Sequence, residues 1–159
     1  MIGAALALSL AASARDIRER IIPNGLVLAL AGCGVVYQLL RALSALPPWM
    51  ALSRALAAAL PTPGICLVAA FLMLDVGAIF ELVWRRLRGE QGLGMGDIKF
   101  LATQATFLGP WAVPAFALAC LGGGIWAFAR RERDFAMAPW ITLGCAAVCT
   151  WLVASAGTF

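Results

Sequence analysis

The chain has 159 residues, of which 63% are hydrophobic and only 13% charged, and its mean hydropathy is +0.92. A water-soluble domain of this size has too little interior to hide that much apolar surface, so the composition excludes the soluble classes and points to an all-α, polytopic membrane protein. The net charge of +4 comes from short basic clusters between apolar runs, which read as topology signals and not as a nucleic-acid surface.

The first apolar run, residues 1–14, covers only ~21 Å as helix, short of a hydrocarbon core of ~30 Å. Asp16 therefore falls at or just inside the membrane boundary. Ala12-Ser13-Ala14 has the look of a signal cleavage site. Positive charge follows this run instead of preceding it, so a retained first helix is expected, continuing past Arg15 with its C-terminal end in the cytoplasm. Pro23-Asn24-Gly25 is turn chemistry that ends this helix.

The second segment is predicted over residues 26–40, followed by a loop with Arg41, Pro47, Pro48 and Trp49. Residues 51–60 fit either an interfacial helix carrying Arg54 or an early start to the next span, with breaks at Pro61 and Pro63. The third segment covers 64–84 and ends at Arg85-Arg86; the fourth covers 98–108 and ends at Gly109-Pro110. The fifth covers 111–129, where Gly122-Gly123-Gly124 permits close helix contact or a bend, and the sixth covers 136–154. The tryptophans Trp49, Trp84, Trp111 and Trp140 sit at span ends, as interfacial anchors do.

Six spans with the N-terminus outside put three loops in the cytoplasm. Those loops hold Arg15, Arg18 and Arg20; Arg85, Arg86, Arg88 and Lys99; and Arg130, Arg131 and Arg133, which leaves only Arg41 and Arg54 of the twelve basic residues outside. This asymmetry supports the span count and the orientation together. A single membrane-embedded domain over residues 1–159 is expected. The five cysteines (Cys33, Cys66, Cys120, Cys145 and Cys149) lie in apolar segments with no C-x-x-C pair, and the chain has no histidine. They read as small packing residues, and no metal or other cofactor is expected.

The same topology places two carboxylates, 81 residues apart in sequence, at one depth: Asp16 closes the first segment and Asp97 opens the fourth. Asp97 follows Gly94 and Gly96, where the backbone has room to bend or to approach another closely. Two readings of Asp97 stand side by side, a cap on the helix N-terminus and a functional acid at the membrane edge. Asp16 is alternatively a solvated member of a charge cluster, paired with Arg20 at i+4. Two aspartates brought together have a specific chemistry. One takes a proton from water, while the other, protonated, polarises a scissile carbonyl and later gives its proton to the leaving amine.

Other polar residues divide between two roles. Lys99 either tunes such a pair or snorkels to the membrane face. Asp75 lies in mid-segment, where an acid is expected to face the bundle or a water-filled cavity. Glu81 has Arg85 at i+4, the spacing of a boundary ion pair.

Gly94-x-Gly96-Asp97-x-Lys99 resembles the GxGD motif of intramembrane aspartyl proteases, in the G-x-G-D-x-K form of bacterial type IV prepilin peptidases. Asp16, seven residues before the proline of Ile22-Pro23-Asn24, is similar to the other half of that family's site. Residues 138–144 keep the second proline and the later glycine of a third family stretch, P-F-G-P-x-L-x-x-G, but read Met137-Ala138 where it has Phe-Gly, so no role is carried onto them. The resemblance implies an aspartyl endopeptidase with Asp16 and Asp97 as its catalytic pair. Gly94, Gly96, Lys99, Pro23 and Asn24 then belong to the motifs that shape the site. It implies as substrate a pilin-like precursor, cut between a short basic leader and an apolar helix at the cytoplasmic face of the inner membrane, in contact with lipid and with pilus assembly machinery as a possible partner.

Larger family members carry a cytoplasmic insertion with four cysteines that supports N-methylation. This chain lacks it and looks like the compact peptidase of Tad/Flp-type pilus systems, with no methyltransferase activity expected. Archaeal preflagellin peptidases share the compact shape, and that alternative stays open. A reading from another class is a non-catalytic membrane assembly factor that kept the fold without the chemistry. A third is a small transporter using Asp75 and Asp97, for which the inverted repeats such folds show are not visible.

Overall fold

The computed structural model describes residues 1–47, 49–90, 92–131 and 135–156. Pro48, Glu132, Arg133 and Asp134 lie outside them, so the share of the loop and charge assignments that rested on those residues has no structural counterpart. Seven α-helices follow in order: α1 (Ile2–Glu19), α2 (Asn24–Ala42), α3 (Ala51–Ala59), α4 (Pro63–Arg88), α5 (Met95–Leu108), α6 (Ala112–Arg130) and α7 (Ala138–Ala156). A 3-10 turn, Gly109–Trp111, joins α5 to α6, and no strand occurs among the described residues.

Four helical stretches are long and apolar enough to cross a membrane: Asn24–Ala42, Pro63–Arg88, Met95–Arg130 and Ala138–Ser155. The protein is thus a multi-pass helical membrane protein. The observed helix ends have local causes. Pro23, with extended ψ of 131°, is the N-cap of α2, so Asn24 opens that helix instead of completing a turn before it. α4 runs through its arginines to Arg88, where Gly89 stops it in the left-handed conformation (φ 71°). At 26 residues α4 is ~39 Å long, whereas the 14 residues of α5 make only ~21 Å.

The third stretch does not continue straight. Gly109 takes φ 59° and ψ −135°, a backbone state that disfavours any side chain, and packs on Cys66. Pair contacts then give the directions of the helices. Gly77 meets Ile98 and Cys66 meets Gly109, so α4 and α5 are antiparallel. Lys99 reaches Asn24, and Thr106 packs on Gly34, so α2 and α5 are parallel. Ser13 bonds Thr142 and Asp16 bonds Ala138, while Gln104 bonds Ser9, so α1 runs against both α5 and α7. Gly144 packs on Ala115 and Gly122 on Trp140, so α6 opposes α7. The six long helices therefore alternate in direction, and Asp16, Asn24, the α4 arginines, the Gly94–Lys99 stretch and Arg130 all gather at one end.

The hub is α5. Ile98 and every residue from Phe100 to Leu108 are buried, including Thr103, Gln104 and Thr106. A helix buried on nearly every side belongs at the centre; α2, α4, α6 and α7 pack around it, and Gln104 reaches across to Ser9 of α1. Gly34 lets α2 close on this hub, since a Cβ there would meet the Thr106 hydroxyl. In the glycine triplet of α6, Gly122 and Gly123 pack on Trp140 and Phe135, while Gly124 faces open space.

Residues 51–60 resolve into the nine-residue α3, ~13 Å long and too short to cross a bilayer. It closes the end of the bundle opposite the aspartates. Arg41, at first only a loop charge, holds it there: its guanidinium donates to the carbonyls of Ala57, Leu60 and Pro61 at 3.0, 3.2 and 2.8 Å and to Gln38 at 2.7 Å. These are carbonyls that a helix end leaves without partners.

Candidate active site

The inner stripe of α1 is small and polar: Ala5, Ser9, Ala12, Ser13 and Asp16 are its buried residues. Their spacing of three and four keeps one face toward the bundle. Gln104 on α5 donates to the Ser9 hydroxyl at 2.7 Å, and the Ser13 and Thr142 hydroxyls are 2.9 Å apart. These interhelical bonds set the register of α1 against its neighbours. Asp16 lies seven residues after Ser9, and Asp97 lies seven residues before Gln104. In an antiparallel pair, the register that joins Gln104 to Ser9 places Asp97 opposite Asp16. The two carboxylates are close enough to interact electrostatically.

Asp16 is only 6% exposed. Its Oδ2 accepts the backbone N–H of Ala138, the first residue of α7, at 3.0 Å. A carboxylate suits a helix N-terminus because it meets both an orphan N–H and the positive end of the dipole. The alternative reading of Asp16, a solvated acid paired with Arg20, is not what the described residues show: Asp16 is buried and forms no ion pair with Arg20. Arg20 ends α1 in the left-handed conformation, and the surface pair on this helix is Arg15–Glu19, at 3.6 Å. Ala138 was given no role from sequence, because its contribution is a main-chain group. Pro139 in the first turn of α7 was the available signal that a helix N-terminus lay there.

Asp97 reverses the other expectation. Gly94 is the N-cap of α5 and no side chain makes a capping bond there, so the hydrogen-bonding part of the capping reading of Asp97 does not hold, while its place in the first turn still sets an acid at the positive end of the dipole. Its half-buried carboxylate instead folds back over Gly94, where a Cβ would lie 2.9 Å from Oδ2. Gly94 has φ −61° and ψ 138°, open to any residue. What its missing side chain supplies is space for the carboxylate, not an unusual backbone. Gly96 is different: a Cβ there would touch Ile22 at 3.7 Å, an ordinary contact.

The two halves of the sequence pattern meet at this point. Ile22 packs on Gly96, Pro23 and Asn24 open α2, and the Lys99 ammonium donates to Asn24 Oδ1 at 3.5 Å. Lys99 is thereby tied to the second motif at the rim. Glu81 forms the expected ion pair, accepting from Arg85 Nε at 2.6 Å.

Asp75 corrects an expectation. It does not face the bundle but is exposed on the outer side of α4, beside Phe71, Leu72, Val76 and Ile79, which are also exposed. The inward stripe of α4 is fixed by Cys66, Ala70, Gly77 and Glu81 against α5, and Asp75 falls off that stripe. The same placement separates it from Asp97, which removes the shared site that a transporter reading needs. Replacing Asp75 by leucine is expected to leave catalysis within about twofold of wild type and membrane insertion equal or better, since a carboxyl at mid-helix costs ~2.5–3.5 kcal/mol on insertion scales. A tenfold loss of activity in a cleavage assay would reopen a role for it.

The chain matches the family model described as the type IV leader peptidase family over residues 3–128. That span includes both aspartates and both motifs, and it ends before α7. No curated protein and no solved structure matches the chain. With its helical membrane architecture and its paired motifs, the chain belongs to the type IV leader peptidase family.

Proposed function

We propose that this protein is a prepilin leader peptidase, an aspartyl endopeptidase whose catalytic pair is Asp16 and Asp97. The observation that carries the reading is the register of α1 against α5, which sets the two carboxylates opposite each other at one end of the bundle. Paired carboxylates share a proton and titrate as a unit. Asp16 already serves as an acceptor, from the Ala138 N–H, and is assigned as the base that takes a proton from water. Asp97 is assigned as the acid that polarises the scissile carbonyl and then protonates the departing amine.

The alternating helices support six spans with the N-terminus outside. In that orientation the end bearing Arg15, Arg18, Arg20, Arg85, Arg86, Arg88, Arg130 and Arg131 faces the cytoplasm, as the positive-inside rule requires, and the membrane is the inner one. The substrate is a pilin-like precursor cut between its basic leader and its apolar helix.

The test is cleavage by the purified protein, reconstituted in vesicles, of a precursor peptide carrying a short basic leader joined to an apolar helix. One product pair, cut just before the apolar segment, is expected. Intact precursor after prolonged incubation with folded protein would reject the peptidase and favour a non-catalytic assembly factor.

A further inference from the structure

α4 ends at Arg88 and the antiparallel α5 starts at Met95. The Asp97 turn follows at once, so whatever fixes the loop between them also fixes Asp97. Glu81, nearly two helical turns before the end of α4, is fully buried (0% exposed). The pairing with Arg85 uses only Oε1. Its Oε2 accepts the backbone N–H groups of Gly92 at 3.2 Å and Leu93 at 2.7 Å.

A second contact holds the same loop independently. Gly92 lies against the indole of Trp84, where a Cβ would sit 2.7 to 3.0 Å from ring atoms. Trp84 is itself held by Phe80, with ring centroids 5.8 Å apart, and by the Arg88 guanidinium 5.5 Å from the ring centroid. The linkage then runs without a free joint. Leu93 precedes the N-cap Gly94, whose carbonyl accepts the N–H groups of Asp97 and Ile98 at 3.0 and 3.1 Å.

A buried carboxylate in a membrane helix is costly unless its charge is met. Here it is met by one guanidinium and two main-chain donors. An ion pair alone would need only Arg85. The two loop bonds are what a positioning device requires, because charge-assisted bonds to backbone N–H groups are short, strong and directional.

We infer that Glu81 is a positioning residue: with Trp84 it clamps residues 92–93 to α4 and so sets where the Asp97 carboxylate stands relative to Asp16. This rests on the reading of Asp97 as catalytic. Glu81 touches no reacting atom; its effect passes through the loop. Glutamine at this position keeps the shape but turns an N–H₂ toward donors or gives up the bond to Arg85. In the first case the loop bonds are lost and in the second they lose their charge assistance, so the hold on the loop weakens while the helix core stays.

The test compares wild type, Glu81→Gln and Asp97→Asn in the vesicle cleavage assay, together with hydrogen exchange of the loop amides. For Glu81→Gln, kcat is expected to fall by about 10²-fold, the scale of a misplacement near 1 Å, with KM within about twofold. Exchange is expected to rise at amides 92–98 only, with an unchanged melting temperature. Wild-type kcat, unchanged loop exchange, or exchange raised evenly through all helices would each overturn the inference. If Glu81→Gln does not fold, Gly92→Ala, which forces the loop off Trp84 from outside the bundle, is expected to give the same loop-confined exchange and kcat loss, and wild-type values there overturn it. An inactive wild type refutes the peptidase reading. An active wild type with inactive Asp97→Asn and fully active Glu81→Gln refutes the clamp alone.

Discussion

Replacing either aspartate by asparagine is expected to abolish precursor cleavage while leaving the protein inserted and folded. General acid–base groups contribute about 10²–10⁴-fold each, and neither asparagine can take or give the proton the reaction needs. The two variants are informative for different structural reasons. Asp16→Asn retains a side-chain oxygen that can accept the Ala138 N–H, so the start of α7 stays capped and lost activity reports chemistry. Asp16→Ala removes that acceptor and is expected to cost a further ~1 kcal/mol of stability, as cap deletions do. Asp97→Asn breaks no capping bond, since Asp97 makes none, and gives up only its charge in the first turn of α5, worth ~0.3–1 kcal/mol. Cleavage rate and thermal unfolding, measured on the same reconstituted samples, separate the two effects. Substantial processing by either asparagine variant would defeat the paired-aspartate mechanism.

Gly94→Ala is expected to reduce kcat by about 10- to 100-fold with little change in stability, on the scale of a displaced catalytic group. The new methyl would stand 2.9 Å from Asp97 Oδ2, closer than real Cβ contacts allow. What must move is the end of one side chain, which is cheap for the fold and expensive for the reaction. Gly96→Ala is the control. Its methyl makes an ordinary contact with Ile22, and alanine at a helical position is favoured over glycine by up to ~1 kcal/mol. Activity within about threefold of wild type is expected there, well under the cost of an overpacked core. The reverse ranking of the two alanines in a kinetic assay would show that backbone freedom, and not space for the carboxylate, is what the motif needs.

The bundle was legible in the sequence because apolar runs, proline and glycine breaks and basic clusters are local signals. They placed the long helices to within a few residues, and they put Asp16 and Asp97 at one depth before any register was known. What stayed hidden depends on contacts between distant elements. The choice between interfacial helix and early span for residues 51–60 needed the partners of α3, Arg41 above all. Asp75 was expected inside because depth can be counted along a helix, while the side it faces depends on which stripe packs on α5. Glu81 and Arg85 announce themselves at i+4, but nothing in that spacing says that the second carboxylate oxygen reaches over to Gly92 and Leu93. The bond from Ala138 to Asp16 is still less visible, since any residue can supply a main-chain donor.

The unequal lengths of α4 and α5 shape the approach to the aspartates. Gly77 stands level with Ile98, so the last eleven residues of α4 rise ~16 Å beyond the level of Ile98. The carboxylates thus lie at the base of a parapet topped by Arg85, Arg86 and Arg88. A cationic peptide approaching along it meets repulsion at the arginine rim, whereas a neutral, greasy one does not. For the proposed peptidase such a rim would be a depth stop, holding back the charged end of a chain and admitting its apolar end to the carboxylates below.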